Sequence, residues 1–271
     1  MTRRRVGDRA PAVIAVLAAV GAGFLIVPLV ALAARAPWGS MTSALTSPVS
    51  LTAARLSLVT TAFAAALSLV FGVPLAWLLA RPGFRGQTLL RALVVLPLVL
   101  PPVVGGVALL AAFGRRGLLG QWLYDWAGVQ LPFSTAGVVV AETFVAMPFL
   151  VLTVEAALRG SDRRLESVAA TLGASPFTVF RRVSLPMVAP AIVAGTVLAW
   201  ARALGEFGAT ITFAGNFPGR TQTIPLAVYS ALESDRSAAI ALSVLMMGVS
   251  LLILVALRHR FLGTMPAQVQ P

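Results

Sequence analysis

Lysine is absent from this sequence and so is cysteine; there is one histidine, and only nine acidic residues among 271. Without cysteine there are no disulfides and no thiolate metal sites. Without lysine the phosphate-cradling loop G-x-x-x-x-G-K-[ST] cannot be completed, so a nucleotide would have to be handled by another polypeptide. One histidine rules out the H-E-x-x-H zinc motif. That residue, His259, sits between Arg258 and Arg260 just past the last apolar run, with no convergent partner of the kind a metal or catalytic site needs. Charge is scarce as well. Only 11% of residues are charged, against about 25% in soluble domains, too few to solvate a globular surface of this size.

What fills the chain is apolar: 58% hydrophobic residues and a mean hydropathy of +0.91. Crossing the hydrocarbon core of a bilayer takes roughly 20 mostly apolar residues as a helix. Six runs meet that need, at 12–34, 56–80, 89–113, 135–157, 187–213 and 238–257. No period-two alternation accompanies them and they are too long for barrel strands, so the sequence predicts an all-α, polytopic membrane protein. No linker, low-complexity tail or internal repeat divides it, so 1–271 reads as a single transmembrane domain. The first run follows Arg3, Arg4 and Arg5, and Ala31-Leu32-Ala33 has the form of a signal cleavage site. Its length exceeds the apolar core of a signal peptide, about 7–15 residues, and favours a retained span.

All 21 basic residues are arginine, giving a net charge of +12. In a soluble protein that excess would suggest nucleic acid. Here the arginines lie mostly in short tracts between apolar runs, as the positive-inside rule describes. The tracts within 3–9, 81–91, 159–182 and 258–260 hold fourteen; the alternate connections hold six, Arg35, Arg55, Arg115, Arg116, Arg220 and Arg236. Both termini are therefore expected in the cytoplasm. Arg202 lies within a span.

The inner connection at 158–186 is the most informative stretch. Ser161 or Asp162 can cap a helix in which Leu165, Val168, Ala169 and Leu172 recur at helical spacing. Gly173 is placed to stop it, and Pro176 to open a second short helix with Val179, Phe180 and Val183 on one face. Pro186 marks entry to the next span. Such a pair either rests on the membrane surface or protrudes as a docking knob whose small residues allow close approach.

Glu142, Glu206 and Arg202 stand inside spans, where charge normally faces a cavity or a partner. Arg202 and Glu206 are four apart and share a helical face. They either neutralise each other structurally or line a pathway in which Arg202 attracts an anion and Glu206 prevents a permanent anion site. Glu142 reads most simply as a buried, protonated or hydrogen-bonded acid. Gly205 and Gly208 sit where the helix can bend or pack closely, while Thr210 can satisfy its hydroxyl on the backbone. In the third span, Pro97, Pro101 and Pro102 should kink or break the helix, either as a static kink or to free carbonyls toward a cavity. The turn-rich segment 215–226 either contacts a delivery protein or caps the bundle.

Glu166-Ser-Val-Ala-Ala-Thr-Leu-Gly followed by Leu185-Pro186 resembles the "EAA" loop of ABC-importer permeases, with Glu166, Ala169, Ala170, Gly173, Leu185 and Pro186 in the motif's places. Ser167 and Val168, between the glutamate and the alanine pair, match a spacing seen in the oxyanion branch. Residues 97–106, 205–210 and 215–226 look like molybdate permeases, and sulfate and thiosulfate permeases share much of them. The resemblance covers roughly 50–257 and implies a type I permease fold of six spans with a cytoplasmic coupling helix in a bacterial inner membrane. It further implies a homodimer, alternating access, cytoplasmic ATPase subunits that bind ATP and Mg, and an extracytoplasmic molybdate-binding protein. On that resemblance the loop residues couple to the ATPase, with Glu166 anchoring the helix by hydrogen bonds, and the permease itself carries no catalytic residue, metal or cofactor. The competing classes are a secondary carrier driven by an ion gradient, whose inverted repeats are not evident, and a membrane-embedded enzyme, whose acids form no obvious dyad.

Overall fold

The structure, a computed structural model, describes residues 11–81 and 83–261, with side chains to 255. Arg3, Arg4, Arg5 and Arg9 lie outside the described residues, as do the side chains of Arg258, His259 and Arg260. Among the described residues every regular element is helical.

Helix α1 (Ala12–Ala34) coincides with the first apolar run and buries none of its side chains in the chain. At 1.5 Å per residue its 23 residues reach about 34 Å, enough to cross the hydrocarbon core. A 3₁₀ turn at Trp38–Ser40 and the short α2 (Met41–Leu45) lead to α3 (Pro48–Ala80). α3 starts eight residues before the expected 56. Ser47 caps it by accepting from the Ser50 amide at 3.3 Å, and Pro48 occupies the first helical position. Ser50 and Thr52 donate to the carbonyls of Ala44 and Pro48, so this first turn is helical without being apolar. Arg55 consequently lies within the helix.

The expected third span is two helices, α4 (Gln87–Val99) and α5 (Pro102–Phe113). Leu100 and Pro101 are extended between them. Adjacent prolines remove two backbone donors, and each proline pushes the residue before it out of the helical region. After α6 (Gly120–Ala127) comes α7 (Thr135–Gly160), capped by Ser134, whose hydroxyl accepts from the Gly137 amide at 3.1 Å.

The connection that follows holds α8 (Arg164–Thr171), α9 (Pro176–Val179), a π turn at Phe180–Ser184 and α10 (Leu185–Met187). The chain then bends by 75° at Val188 into α11 (Ala189–Leu204). The fifth apolar run does not continue unbroken to 213. It stops at Leu204 and resumes as α12 (Gly208–Ala214). α13 (Ile224–Ser234) and α14 (Arg236–Phe261) complete the chain. Taken singly, α1, α3, α7 and the Arg236–Val255 part of α14 are long and apolar enough to cross a membrane.

α7 is the central rod. It packs on α3 and α11 through Ala64, Val73, Leu79, Leu150, Val154 and Ala199, all buried. Alanines in this seam let backbones approach closely, so dispersion contacts accumulate where lipid supplies no hydrophobic drive. A second seam joins α12 to α5. A Cβ added at Gly106 would sit 2.5 Å from Thr212 Cβ. Gly106→Val should therefore destabilise the bundle by about 1–3 kcal/mol. A lowered melting midpoint in detergent checks this, with Gly21→Val, which meets open space in the chain, as the control expected to melt like the parent.

Candidate functional site

The 158–186 connection is fastened to the end of α3. A helix leaves its last carbonyls without intrahelical partners. Here Gln87 Nε2 donates to the carbonyls of Leu79 and Arg81, at 2.8 Å each. Arg159 donates to Leu79 O at 3.0 Å and Arg163 to Ala80 O at 2.5 Å. Two guanidinium groups thus stand at the negative pole of the α3 dipole. Asp162 Oδ1 accepts from the Arg164 amide at 2.9 Å and starts α8.

α8 ends in a Schellman motif. Gly173 takes φ +85°, its amide donates to Ala170 O at 3.0 Å, and the Ala174 amide donates to Ala169 O at 3.1 Å. The apolar residues of this hairpin point two ways. Val179 is buried and Phe180 half-buried, whereas Leu165, Val168, Leu172 (82% exposed) and Phe177 (69% exposed) face out. Leu165, Val168 and Leu172 form one stripe on the outer face of α8. Ala170 and Gly173 are exposed beside it, Ala169 is half-buried, Leu185 packs against the core and Pro186 is exposed at the start of α10. A cleft of about 370 Å³ opens between the hairpin and α3, lined among others by Trp77, Arg81, Arg163, Glu166, Ala170 and Pro176.

Glu166 faces inward and is 9% exposed. Its Oε2 pairs with Arg81 Nη2 at 2.7 Å, and its Oε1 accepts from Ser184 Oγ at 2.5 Å. The Arg81 guanidinium lies 4.1 Å over the Trp77 ring, which meets Phe180 edge-on at 5.4 Å. The sequence pattern alone does not single out Arg81, Ser184 or Trp77. Glu155, also absent from the sequence-based choice of intramembrane acids, is buried in α7 between Arg159 at 2.8 Å and Arg91 at 3.6 Å. Both contacts are charge pairs without hydrogen-bond geometry. The spacing of Glu155 and Arg159, four apart on one helix, was the available signal.

Deeper in the bundle, Arg202 Nη1 meets Glu206 Oε2 at 2.6 Å, and Glu206 Oε1 accepts from the Ala209 amide at 2.8 Å. One carboxylate therefore holds the end of α11 and caps the start of α12. A Cβ at Gly208 would lie 2.6 Å from Pro102 Cβ, so the break after α11 rests against the break before α5. The structure thus brings Pro102 and Gly208 together, with Pro101, Gly205 and Glu206 beside them in the same two breaks. Thr210 on α12 and Glu142 on α7 are both buried; Glu142 Oε1 accepts from Thr60 Oγ1 at 2.9 Å. The Thr210 hydroxyl and Glu142 Oε2 have no protein partner. Segment 215–226 is hydrogen-bonded to itself and to the bundle. Asn216 donates to Ser230 Oγ at 2.8 Å, Gln222 to Asn216 Oδ1 at 3.0 Å, and the Ile224 amide to Ser57 Oγ at 2.7 Å.

Residues 72–263 match the family model described as the binding-protein-dependent transport system inner membrane component. The chain belongs to that family. Across the family's matched region lie the fastened hairpin, the inward glutamate and both helix breaks. A molybdenum transport system permease protein from Mycobacterium tuberculosis is 50% identical over 243 residues, covering 90% of this chain and 92% of the relative. A probable sulfate transport system permease from Nephroselmis olivacea is 36% identical over 249 residues, covering 88% and 87%. Among solved structures, a bacterial ABC transporter that imports the acidic polysaccharide alginate superposes with a TM-score of 0.69 at 19% identity, covering 93% of this chain and 95% of that one. At that identity the likeness is one of fold. This member of the family is thus a multi-pass inner-membrane protein with the fold of ABC-importer permeases.

Proposed function

We propose that this chain is the permease subunit of an ATP-driven molybdate importer, a single membrane domain over 1–271 that carries out no covalent chemistry itself. Identity to a molybdenum permease over nine-tenths of the chain is the observation that carries this reading. In it six spans cross the membrane: α1, α3, α4 with α5, α7, α11 with α12, and α14. Both termini are cytoplasmic, which puts the arginine-rich α8–α9 hairpin inside the cell. Two copies of the chain enclose the pathway. The outer side of α8 and its C-terminal turn, with exposed Ala170 and Gly173 and half-buried Ala169, docks on a cytoplasmic ATPase subunit that binds ATP and Mg, and Leu185-Pro186 passes the movement to the next span. An extracytoplasmic binding protein delivers molybdate, which passes the paired breaks at Pro101–Pro102 and Gly205–Gly208 while Arg202, Glu206 and Thr210 act as gate residues.

The test is uptake of labelled molybdate into proteoliposomes holding this chain with its binding protein, with and without the ATPase and internal ATP. Uptake that needs both is the expected result. Uptake persisting without the ATPase would overturn the reading in favour of a gradient-driven carrier. Excess sulfate that competes as well as unlabelled molybdate would move the substrate to sulfate, the cargo named for the 36%-identical relative.

A further inference from the structure

Glu166 holds the acidic place of the coupling motif, yet its carboxylate is turned into the protein with both oxygens engaged, one on Arg81 and one on Ser184. A docking partner could bind it only by breaking one of those contacts. Its partners come from the C-terminal end of α3 and from the π turn that leads to α11. We propose that Arg81, Glu166 and Ser184 form an internal latch that makes the α8–α9 hairpin and the foot of α11 move as one body. Ser184 is its positioning residue. The inference rests on the reading that this hairpin docks an ATPase, and it names how that movement enters the spans.

Several features converge on Ser184. It is fully buried, and it closes the five-residue π turn, a widened turn that tends to occur at functional positions. Its hydroxyl donates to Glu166 Oε1 and lies 3.4 Å from the Trp77 indole N–H. Hydrogen bonds to an ionised carboxylate are roughly twice as strong as neutral ones, so this tie outlasts the weaker packing of the exposed hairpin. Leu185, Pro186 and the 75° bend follow at once, and α11 then runs to Arg202 and the break at Gly205. Displacing the hairpin with the latch closed drags the bend. With the latch open, the hairpin can move without α11.

The other end of the latch is reachable. Arg81 is partly exposed, held flat on Trp77, and lines the same cleft as Ala170. A partner seated on α8 therefore presses beside the guanidinium that fixes Glu166, while the carboxylate itself stays out of its reach.

The absence of cysteine allows a test that needs no knowledge of the cargo. Spin labels at Ser167→Cys and Ala189→Cys, both exposed positions on α8 and at the start of α11, are measured in the complete reconstituted transporter, nucleotide-free and with ATP. With labelled chain diluted into unlabelled chain, so that only the distance within one copy is read, a narrow distance unchanged by ATP is expected for the parent latch. Ser184→Ala should broaden the distribution or make it respond to ATP. In the same preparations Ser184→Ala should leave ATP hydrolysis within about twofold and cut molybdate uptake by about tenfold, the effect of losing one charged hydrogen bond. The double variant with Glu166→Gln should lose no more than Glu166→Gln alone. An unchanged distance in Ser184→Ala, or hydrolysis and uptake falling in equal proportion, would overturn the latch. A parent complex that takes up no molybdate would instead count against the proposed cargo and leave the distance measurement intact.

Discussion

Ala170→Arg is expected to abolish ATP-driven uptake by about two orders of magnitude or more while the chain still inserts and folds. Ala170 is exposed on α8, so added length meets no core, and arginine is nearly as good a helix former as alanine. The new guanidinium enters a cleft that already holds Arg81 and Arg163. It fills the space that close docking requires, and it brings a third like charge to an interface, where such juxtapositions cost several kcal/mol. Uptake assays and co-purification of the ATPase with the variant check this. Normal uptake with normal co-purification would show that α8 is not the docking face. Gly173→Arg should fail similarly for a mixed reason. Position 173 holds φ +85°, and a side chain there adds about 1–2 kcal/mol of backbone strain that Ala170→Arg avoids.

The second large effect is expected at the break between α11 and α12. Glu206 is 2% exposed, and its carboxylate joins Arg202 to the Ala209 amide. Glu206→Ala should remove both contacts and strand a cation. Breaking a fully buried pair costs about 3–5 kcal/mol. The Arg202 side chain is 30% exposed and partly screened, which lowers the expectation to about 1–3 kcal/mol. Thermal unfolding in lipid-detergent mixtures reads that loss. Arg202→Gln removes the cation but keeps a donor for Glu206, and because it leaves that buried carboxylate without its counter-charge, its melting should fall too. Uptake slowed per folded transporter, measured well below the variant's melting midpoint, is the result expected of an anion-attracting gate. Unchanged uptake would reduce the pair to a clasp that holds the two helix ends.

Local signals were legible in the sequence wherever one residue type forces the backbone. Adjacent prolines break the third span at Leu100–Pro101, and Gly173 ends α8 in the conformation only glycine takes easily. The run at 12–34 returned α1 residue for residue. The break at Gly205–Phe207 was harder to see, because an apolar run says where lipid is and not whether the helix inside it is continuous. The polar first turn of α3 escaped for the opposite reason: its hydroxyls are satisfied locally, Thr52 on the helix itself and Ser50 on Ala44 of α2, and leave no apolar mark. Glu166 stood out by its motif, but its direction did not. Facing in or out depends on Arg81, 85 residues away, and on Ser184 across the π turn, and no periodicity carries that distance.

The contact between Pro102 and Gly208 sets two helix breaks joint against joint, and in the proposed six-span arrangement each break interrupts a span. Each span is thereby a pair of short struts, and the 13 and 12 residues of α4 and α5 are individually too short to bridge a bilayer. Short struts can be retilted one at a time about a shared elbow. Struts on one side can spread while those on the other remain shut, whereas two continuous rods crossing at the same point would splay like scissor blades, both sides together. In the importer proposed above, a bundle jointed in this way would keep one end sealed whichever way it faced, so a membrane crowded with such proteins would hold its ion gradients through every stroke.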